Sequence, residues 1–310
     1  MRRNIITTIA MSLLLTTLMS CDGRKPKTAS VSHVQDDDIA VNVTAPMTVK
    51  ENKYEKDTKY AKIEVDVEYP DGDDNVSVNI RKDLMAVLGK AASMNEYMSP
   101  IVAYKSDVPK MSEAVDYYGG KLLKAVRAQS VEDNKTRNDT EKELAQEEGR
   151  EPMRIDPMQY YYDIEIEREW ETNDYCVYDA EVEIFSGGAH GSSTDLGGLT
   201  YDKRTGKRFS NFLKPSSGKA MQQLLRAGLV SYFVKQGETV DDAGLDELLQ
   251  IDGTTIPLPQ LPPYPTEKGL KFVYGQYEIA PYAAGKPKFV VPFNKVKQFL
   301  TPEAVKLLGM

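Results

Sequence analysis

Three stretches of strict two-residue alternation constrain this chain more than any other feature. Ile63, Val65, Val67 and Tyr69 alternate with Lys62, Glu64, Asp66 and Glu68. Tyr162, Ile164, Ile166 and Trp170 alternate with Asp163, Glu165, Glu167 and Glu169. Cys176, Tyr178, Ala180, Val182 and Ile184 alternate with Asp179, Glu181 and Glu183. A period of two marks a strand with one buried face, so each segment turns an apolar face to a core and an acidic face away from it. Pro70-Asp71-Gly72-Asp73 ends the first strand, and Thr172-Asn173-Asp174 joins the other two as an antiparallel hairpin. Should the strands share a sheet, their acids form one negative surface. Two readings of it stand: an ordinary solvated face, or an electrostatic guide for a basic protein. Paired carboxylates for glycoside cleavage also fit, but so many acids give that signal little specificity.

Helical spacing appears between the strands. Val76, Ile80, Leu84, Val87 and Leu88 fall on one face of a helix from Asn75 to about Leu88. A second helix begins near Ser112 with Val115, Tyr118, Leu122 and Val126 as its stripe, weakened by Gly119-Gly120. Residues 130–152 are almost wholly polar, which suits either a solvent-standing extension of that helix or a disordered loop. The cleanest helix runs from about Ser217 to Lys235, with Met221, Leu224, Leu225, Gly228, Leu229, Tyr232 and Phe233 in a core stripe and Ser216 or Ser217 as N-cap. Residues 257–265, rich in proline, read as a stiff extended connection. Further strands are expected at Thr200-Tyr201 and around residues 271–274, 276–279 and 288–291, before a terminal helix with Val296, Phe299 and Leu300 inward. Runs of strands with interspersed helices predict an α+β fold, a mainly antiparallel sheet with helices packed on one side. The folded body divides into an N-terminal strand-helix-strand part, residues 57–174, and a C-terminal part, residues 175–310.

The N-terminus carries a different signal. Arg2 and Arg3 precede an apolar stretch too short to span a bilayer comfortably, and Leu18-Met19-Ser20-Cys21 resembles a bacterial lipobox. Residues 1–20 are therefore expected to be a lipoprotein signal peptide and Cys21 the lipidation site. Residues 21–56, polar and containing Asp36-Asp37-Asp38, read as a flexible tether. The expected location is the cell envelope, anchored to a membrane by lipid, on the periplasmic side or at the cell surface. Asp22 leaves the choice of membrane open. A formal net charge of −8 argues against nucleic acid and favours a cationic partner. Cys176 is the one cysteine outside the lipobox, so no disulfide within the body is expected, and its place in an alternating strand points it into the core.

Two segments carry a family resemblance: Phe185-Ser186-Gly187-Gly188-Ala189-His190-Gly191, and Tyr277-Glu278-Ile279-Ala280-Pro281-Tyr282-Ala283-Ala284-Gly285. With Leu199-Thr200-Tyr201-Asp202 and Val291-Pro292-Phe293, they resemble an extracytoplasmic domain of unknown function. It is found in the outer half of RsiV-type anti-sigma factors and beside the catalytic domain of PdaC-type peptidoglycan deacetylases. The likeness spans about residues 57–310. It implies an envelope recognition domain, and the RsiV type implies lysozyme, a small cationic protein, as partner, with peptidoglycan as the other candidate. A lipobox stands where a sigma-binding segment and membrane helix would be, so anti-sigma activity is not implied. No deacetylase domain is present, and that catalysis is not implied either.

The candidate ligand-binding residues are Gly187, Gly188, His190, Ser192, Asp195 and Tyr282. His190 admits three roles: shaping its loop, touching a ligand, or acting in catalysis with Ser192, Ser193 and Asp195 formally available. The strand-nucleophile-helix elbow of serine hydrolases is missing, and one histidine makes a zinc site improbable. Tyr282, after Ala280-Pro281, is either an exposed aromatic contact or a hydrogen-bonded corner tyrosine. The expectation is therefore a binding protein without cofactor, metal or assigned catalytic residue. A cell-wall hydrolase using His190 and an envelope scaffold are the alternatives.

Overall fold

All three alternating segments lie in one sheet. A computed structural model describes residues 46–94, 99–105 and 110–310. The expected signal peptide, Cys21 and most of the expected tether lie outside these residues. Strands β1 (Val49–Asp57), β2 (Ala61–Pro70), β3 (Tyr160–Glu171), β4 (Tyr175–Phe185), β5 (Ser192–Asp202) and β6 (Lys207–Phe209) are neighbours in that order. Every pair is antiparallel except β2 and β3, which run parallel. A parallel pair needs a crossover, and helices α1 (Asn75–Ala91) and α2 (Met111–Glu147) supply it. Both helices pack on the apolar face, where Ile63, Val65, Tyr162 and Ile164 meet Ile80, Leu84, Tyr118 and Leu122.

The fold begins earlier than the sequence pattern implies. The tether expected through residue 56 gives way to β1 at Val49. Its sequence, VKENKYEKD, lacks apolar alternation because it is an edge strand with most side chains exposed. The ladder to β2 holds it, helped by Lys53, 2.5 Å from Glu64 and 3.6 Å from Asp66. Tyr54 also explains the first of the two glycines in α2. A Cβ at Gly119 would lie 2.3 Å from the Tyr54 ring, so the strand can approach the helix only over a glycine.

Helix α1 starts at Asp74, whose Oδ1 accepts from the amides of Val76 and Ser77 at 2.9 and 3.0 Å. Helix α2 runs 37 residues, about 55 Å at 1.5 Å per residue. Its polar half is ordered because the returning chain lies along it. The Asn134 side chain accepts from the Met158 amide at 2.7 Å and donates to the Met158 carbonyl at 2.8 Å. Glu141 accepts from Arg150 at 2.5 Å and from the Met153 amide at 2.8 Å. Gly149, at φ +68°, closes the helix, with the Arg150 amide returning to Ala145.

The C-terminal region builds a second core against a second sheet. Helices α3 (Ser217–Ala220) and α4 (Gln222–Lys235) replace the single expected helix, broken at Met221. Neither Ser216 nor Ser217 caps by its side chain; Ser217 Oγ instead donates to Phe299 at 3.2 Å. A short α5 (Leu245–Leu248) follows, and β7 (Tyr264–Pro265), β8 (Gly269–Val273) and β9 (Lys288–Pro292) form an antiparallel sheet. The chain ends in α6 (Phe293–Val296), a 3-10 turn and α7 (Pro302–Leu307). Met221, Leu225, Leu229, Phe272 and Val291 centre this core.

The division expected at residues 174/175 falls inside the β3–β4 hairpin, whose ladder keeps both strands in one sheet. β4 serves both cores instead: Cys176, Tyr178 and Ala180 face the first, Tyr175 and Val177 the second. Tyr264 lies across β5 where Gly198 leaves room, since a Cβ there would be 2.1 Å from the ring. We therefore expect Gly198→Ala to cost about 2 kcal/mol through overpacking, read as a lower urea midpoint at unchanged slope.

Candidate functional site

The loop between β4 and β5 turns on two glycines. Gly187 and Gly188 have φ of +96° and +88°, a region that side chains with a Cβ enter at a cost. Gly187 also sits under Tyr160, whose hydroxyl would be 2.7 Å from an added Cβ. The loop delivers His190 to the surface, stacked on Tyr282 with ring centroids 3.7 Å apart. His190 Nδ1 is 2.9 Å from the Gly191 carbonyl, and Nε2 is 3.5 Å from the Tyr277 hydroxyl. Tyr282 donates to the same Gly191 carbonyl at 3.1 Å. Tyr282 is thus the hydrogen-bonded corner residue, partly buried. The exposed aromatic is Tyr277, 57% accessible and held at φ +62°.

Residues 276–279, expected as a strand, form a tight turn instead. Glu278 fixes it by accepting from the amides of Gly275 and Gln260, both at 2.7 Å. Such side chain to backbone bonds replace ladder bonds and favour turns. Between this turn and the glycine loop opens a cleft of about 650 Å³, bordered by His190, Ser192, Asp195, Gln260, Gln276 and Tyr277. Gln276 is anchored there by accepting from the Ser193 amide at 3.0 Å.

Beside the cleft lies a partly buried ion cluster. Lys286 bonds Glu181, donates to Ser193 Oγ at 2.8 Å and is 3.1 Å from Asp195 Oδ2. Ser193 Oγ in turn donates to Glu181. Burial pushes the Asp195 carboxyl up despite Lys286. Burial also opposes charge on Glu181, but the bonds from Lys286 and Ser193 outweigh it and hold its carboxyl below the ordinary value. Burial disfavours the Lys286 cation, yet Glu181 and Asp195 hold its proton more tightly than usual. A serine-lysine dyad needs a neutral lysine as base, whereas Glu181 and Asp195 favour the charged form of Lys286. His190 makes no hydrogen bond to Ser192, Ser193 or Asp195, so the geometry of a catalytic triad is not formed. Among the described residues no group of three or more His, Cys, Asp or Glu side chains is arranged to hold a metal. What the cleft offers is hydrogen-bonding amides and hydroxyls, an aromatic rim and a fixed ion cluster.

The acidic faces do merge. Register aligns Asp66, Glu165, Glu181 and Asp195 in one row across four strands, with Glu64, Asp163 and Glu183 in the next and Glu167 opposite Asp179 beyond. Cations neutralise the margins: Lys53 at Glu64 and Asp66, Lys271 at Glu169 and Asp179, Lys286 at Glu181 and Asp195. No ion pair forms at Glu165, Glu167 or Glu183 among the described residues. Partial desolvation, a hydrogen bond shared with Glu167 and the charges of Glu167, Asp163 and Asp66 push Glu165 up to about 7.

The structure thus brings His190, Ser192 and Asp195 to one cleft, with Gly187 in its wall, Tyr282 stacked on His190 outside the lining and Gly188 at the apex of the loop. Cys21 lies outside the described residues. Sequence reasoning missed Lys286, Gln260, Gln276 and the role of Tyr277. Lys286 sits one residue beyond the second motif and resembles any surface lysine until the sheet register places Glu181 and Asp195 opposite it.

Residues 212–294 match the family described as "Protein of unknown function (DUF3298)". Two solved structures share the fold. A member of the DUF3298 family from Bacteroides fragilis is 18% identical, with TM-score 0.60, covering 87% of this chain and 100% of that one. A DUF3298 family protein from Pseudomonas aeruginosa is 13% identical, with TM-score 0.54, covering 84% and 97%. No curated protein matches the chain.

Two expectations follow from the electrostatics. Lys286→Met should destabilise the body by about 2 kcal/mol at pH 7, below the full cost of breaking a buried pair because Glu181 keeps some solvent. Glu181 is held below its ordinary 4.5, so its contribution exists above that value and fades as pH falls. The wild-type advantage in urea unfolding should therefore shrink toward pH 4. Glu165 behaves oppositely. Its raised value makes ionisation unfavourable to the fold as pH rises from 4.5 through about 7. Glu165→Gln should raise the thermal midpoint at pH 8 and leave it nearly unchanged at pH 4.5.

Proposed function

We propose that this chain is a lipid-anchored binding protein of the bacterial cell envelope that receives a small cationic protein of the lysozyme type on its acidic sheet face. The observation that carries this reading is the alignment of carboxylates in register across β2, β3 and β4, with Glu165, Glu167 and Glu183 lacking a counter-ion among the described residues. Like charges packed on one face cost stability, as Glu165 illustrates. A basic partner relieves that cost on docking and is steered to the face at long range. The neighbouring cleft is open to a protruding loop of the partner, with Tyr277 as the exposed aromatic contact. The likeness to the outer domain of RsiV-type proteins supports the same partner class. The anchor rests on Leu18-Met19-Ser20-Cys21, and a lipid of that kind would hold the body at a membrane surface.

A second reading takes a peptidoglycan fragment as the ligand. The stacked His190 and Tyr282, the exposed Tyr277 ring and the amides of Gln260 and Gln276 favour it, because sugar rings lie against aromatic faces and their hydroxyls need fixed polar partners. The acid face plays no part in that reading, so the two are separable.

Calorimetry of residues 43–310 with a hen-type lysozyme, at low and near-physiological salt, tests the first. We expect saturable one-to-one binding that survives the higher salt, is absent with another basic protein of similar charge, and weakens about tenfold or more in Glu165→Lys/Glu183→Lys. Equal binding to both proteins, or none, overturns it, and a muropeptide titration against Tyr277→Ala then addresses the second.

A further inference from the structure

We infer that the groove between α4 and the free edge of β9 binds the phosphate-bearing headgroup of an anionic phospholipid. Five lysines converge on it from separate parts of the chain: Lys235 ends α4, Lys268 precedes β8, Lys271 lies in β8, Lys288 opens β9 and Lys295 lies in α6. Lys271 is committed to Glu169 and Asp179. The other four make no ion pair or side-chain hydrogen bond among the described residues. In a chain with 47 acidic and 39 basic residues, four lysines gathered in a groove whose lining holds no acid repel one another unless an anion joins them. Lysines on an edge strand also guard against strand addition, but only Lys288 belongs to that edge.

The floor of the groove is apolar. Phe289, Val291 and Leu224 line it, and Val290 stands 40% exposed in its wall. The groove holds about 500 Å³, room for a phosphodiester with its glycerol and the first carbons of an acyl chain. Lysines suit the phosphate as mobile point charges, while the apolar floor gives the glycerol and acyl carbons a place that a free phosphate ion would leave empty. The acidic sheet face reaches the groove through Glu169 and Asp179, which engage Lys271 and leave the other four lysines to an anion. Lysines near an anionic bilayer each strengthen binding about fivefold. The inference stands independently of the cleft and of any protein partner, and it gives the body a second hold on the membrane.

Co-sedimentation of residues 43–310, the compact unit that begins at Val43, with large vesicles tests it. One set contains phosphatidylcholine alone and the other adds phosphatidylglycerol. We expect binding to the anionic vesicles only, reduced at least about tenfold in Lys235→Glu/Lys295→Glu. It should be little changed in Lys56→Glu/Lys82→Glu, which alters net charge equally on the N-terminal side of the fold. Val290→Ser, which removes no charge, should also weaken binding. Circular dichroism confirms that each variant is folded. No binding to anionic vesicles, equal loss in both charge pairs, or full competition by millimolar inorganic phosphate would overturn the lipid site.

Discussion

Strand β4 is covered on both faces over its first half, and the rest of the molecule is arranged around that fact. Tyr175 and Val177 enter the C-terminal core while Cys176 and Tyr178 enter the core beneath α1 and α2. A strand so covered reads as a nearly continuous apolar run, and Tyr175-Cys176-Val177-Tyr178 is one. Beyond Tyr178 the C-terminal layer withdraws and acids take the uncovered face: Asp179, Glu181 and Glu183. The boundary between covered and open sheet is where Lys271 and Lys286 reach across, each answering two carboxylates. The cleft opens along the same boundary, so the site is a by-product of where one layer stops.

The distribution of charge follows the same division. The large sheet gathers its acids on one face because alternation leaves them no other place. The C-terminal layer supplies Lys271 and Lys286 to the margin of that face, β1 supplies Lys53, and Lys235, Lys268, Lys288 and Lys295 gather along β9. A chain acidic on average is therefore locally basic in one groove, a pattern that net charge conceals.

Most of the fold was legible from periodicity. The strands β2, β3 and β4, the helix α1 and the start of α2 all carry apolar faces, and burial follows the spacing. Elements without an apolar face were hidden. β1 is nearly all polar and draws its order from the ladder to its neighbour. The second half of α2 is held by Asn134 and Glu141 bonding a returning segment, a pairing across 24 and 12 residues that no local pattern announces. The site was half legible. Its loop and Tyr282 came from recognisable motifs, whereas Lys286 and Gln276 acquire meaning only from residues 105 and 83 positions away.

Cys176 carries a consequence of a different kind. Its side chain is fully enclosed, and burial pushes the thiol up to about 12. A thiol so protonated and so enclosed reacts with neither oxidants nor disulfides while the sheet is intact. Under oxidising conditions a closed body thus escapes cross-linking to its neighbours. The speed at which an alkylating reagent finds this sulfur becomes a clock for the opening of both layers around β4.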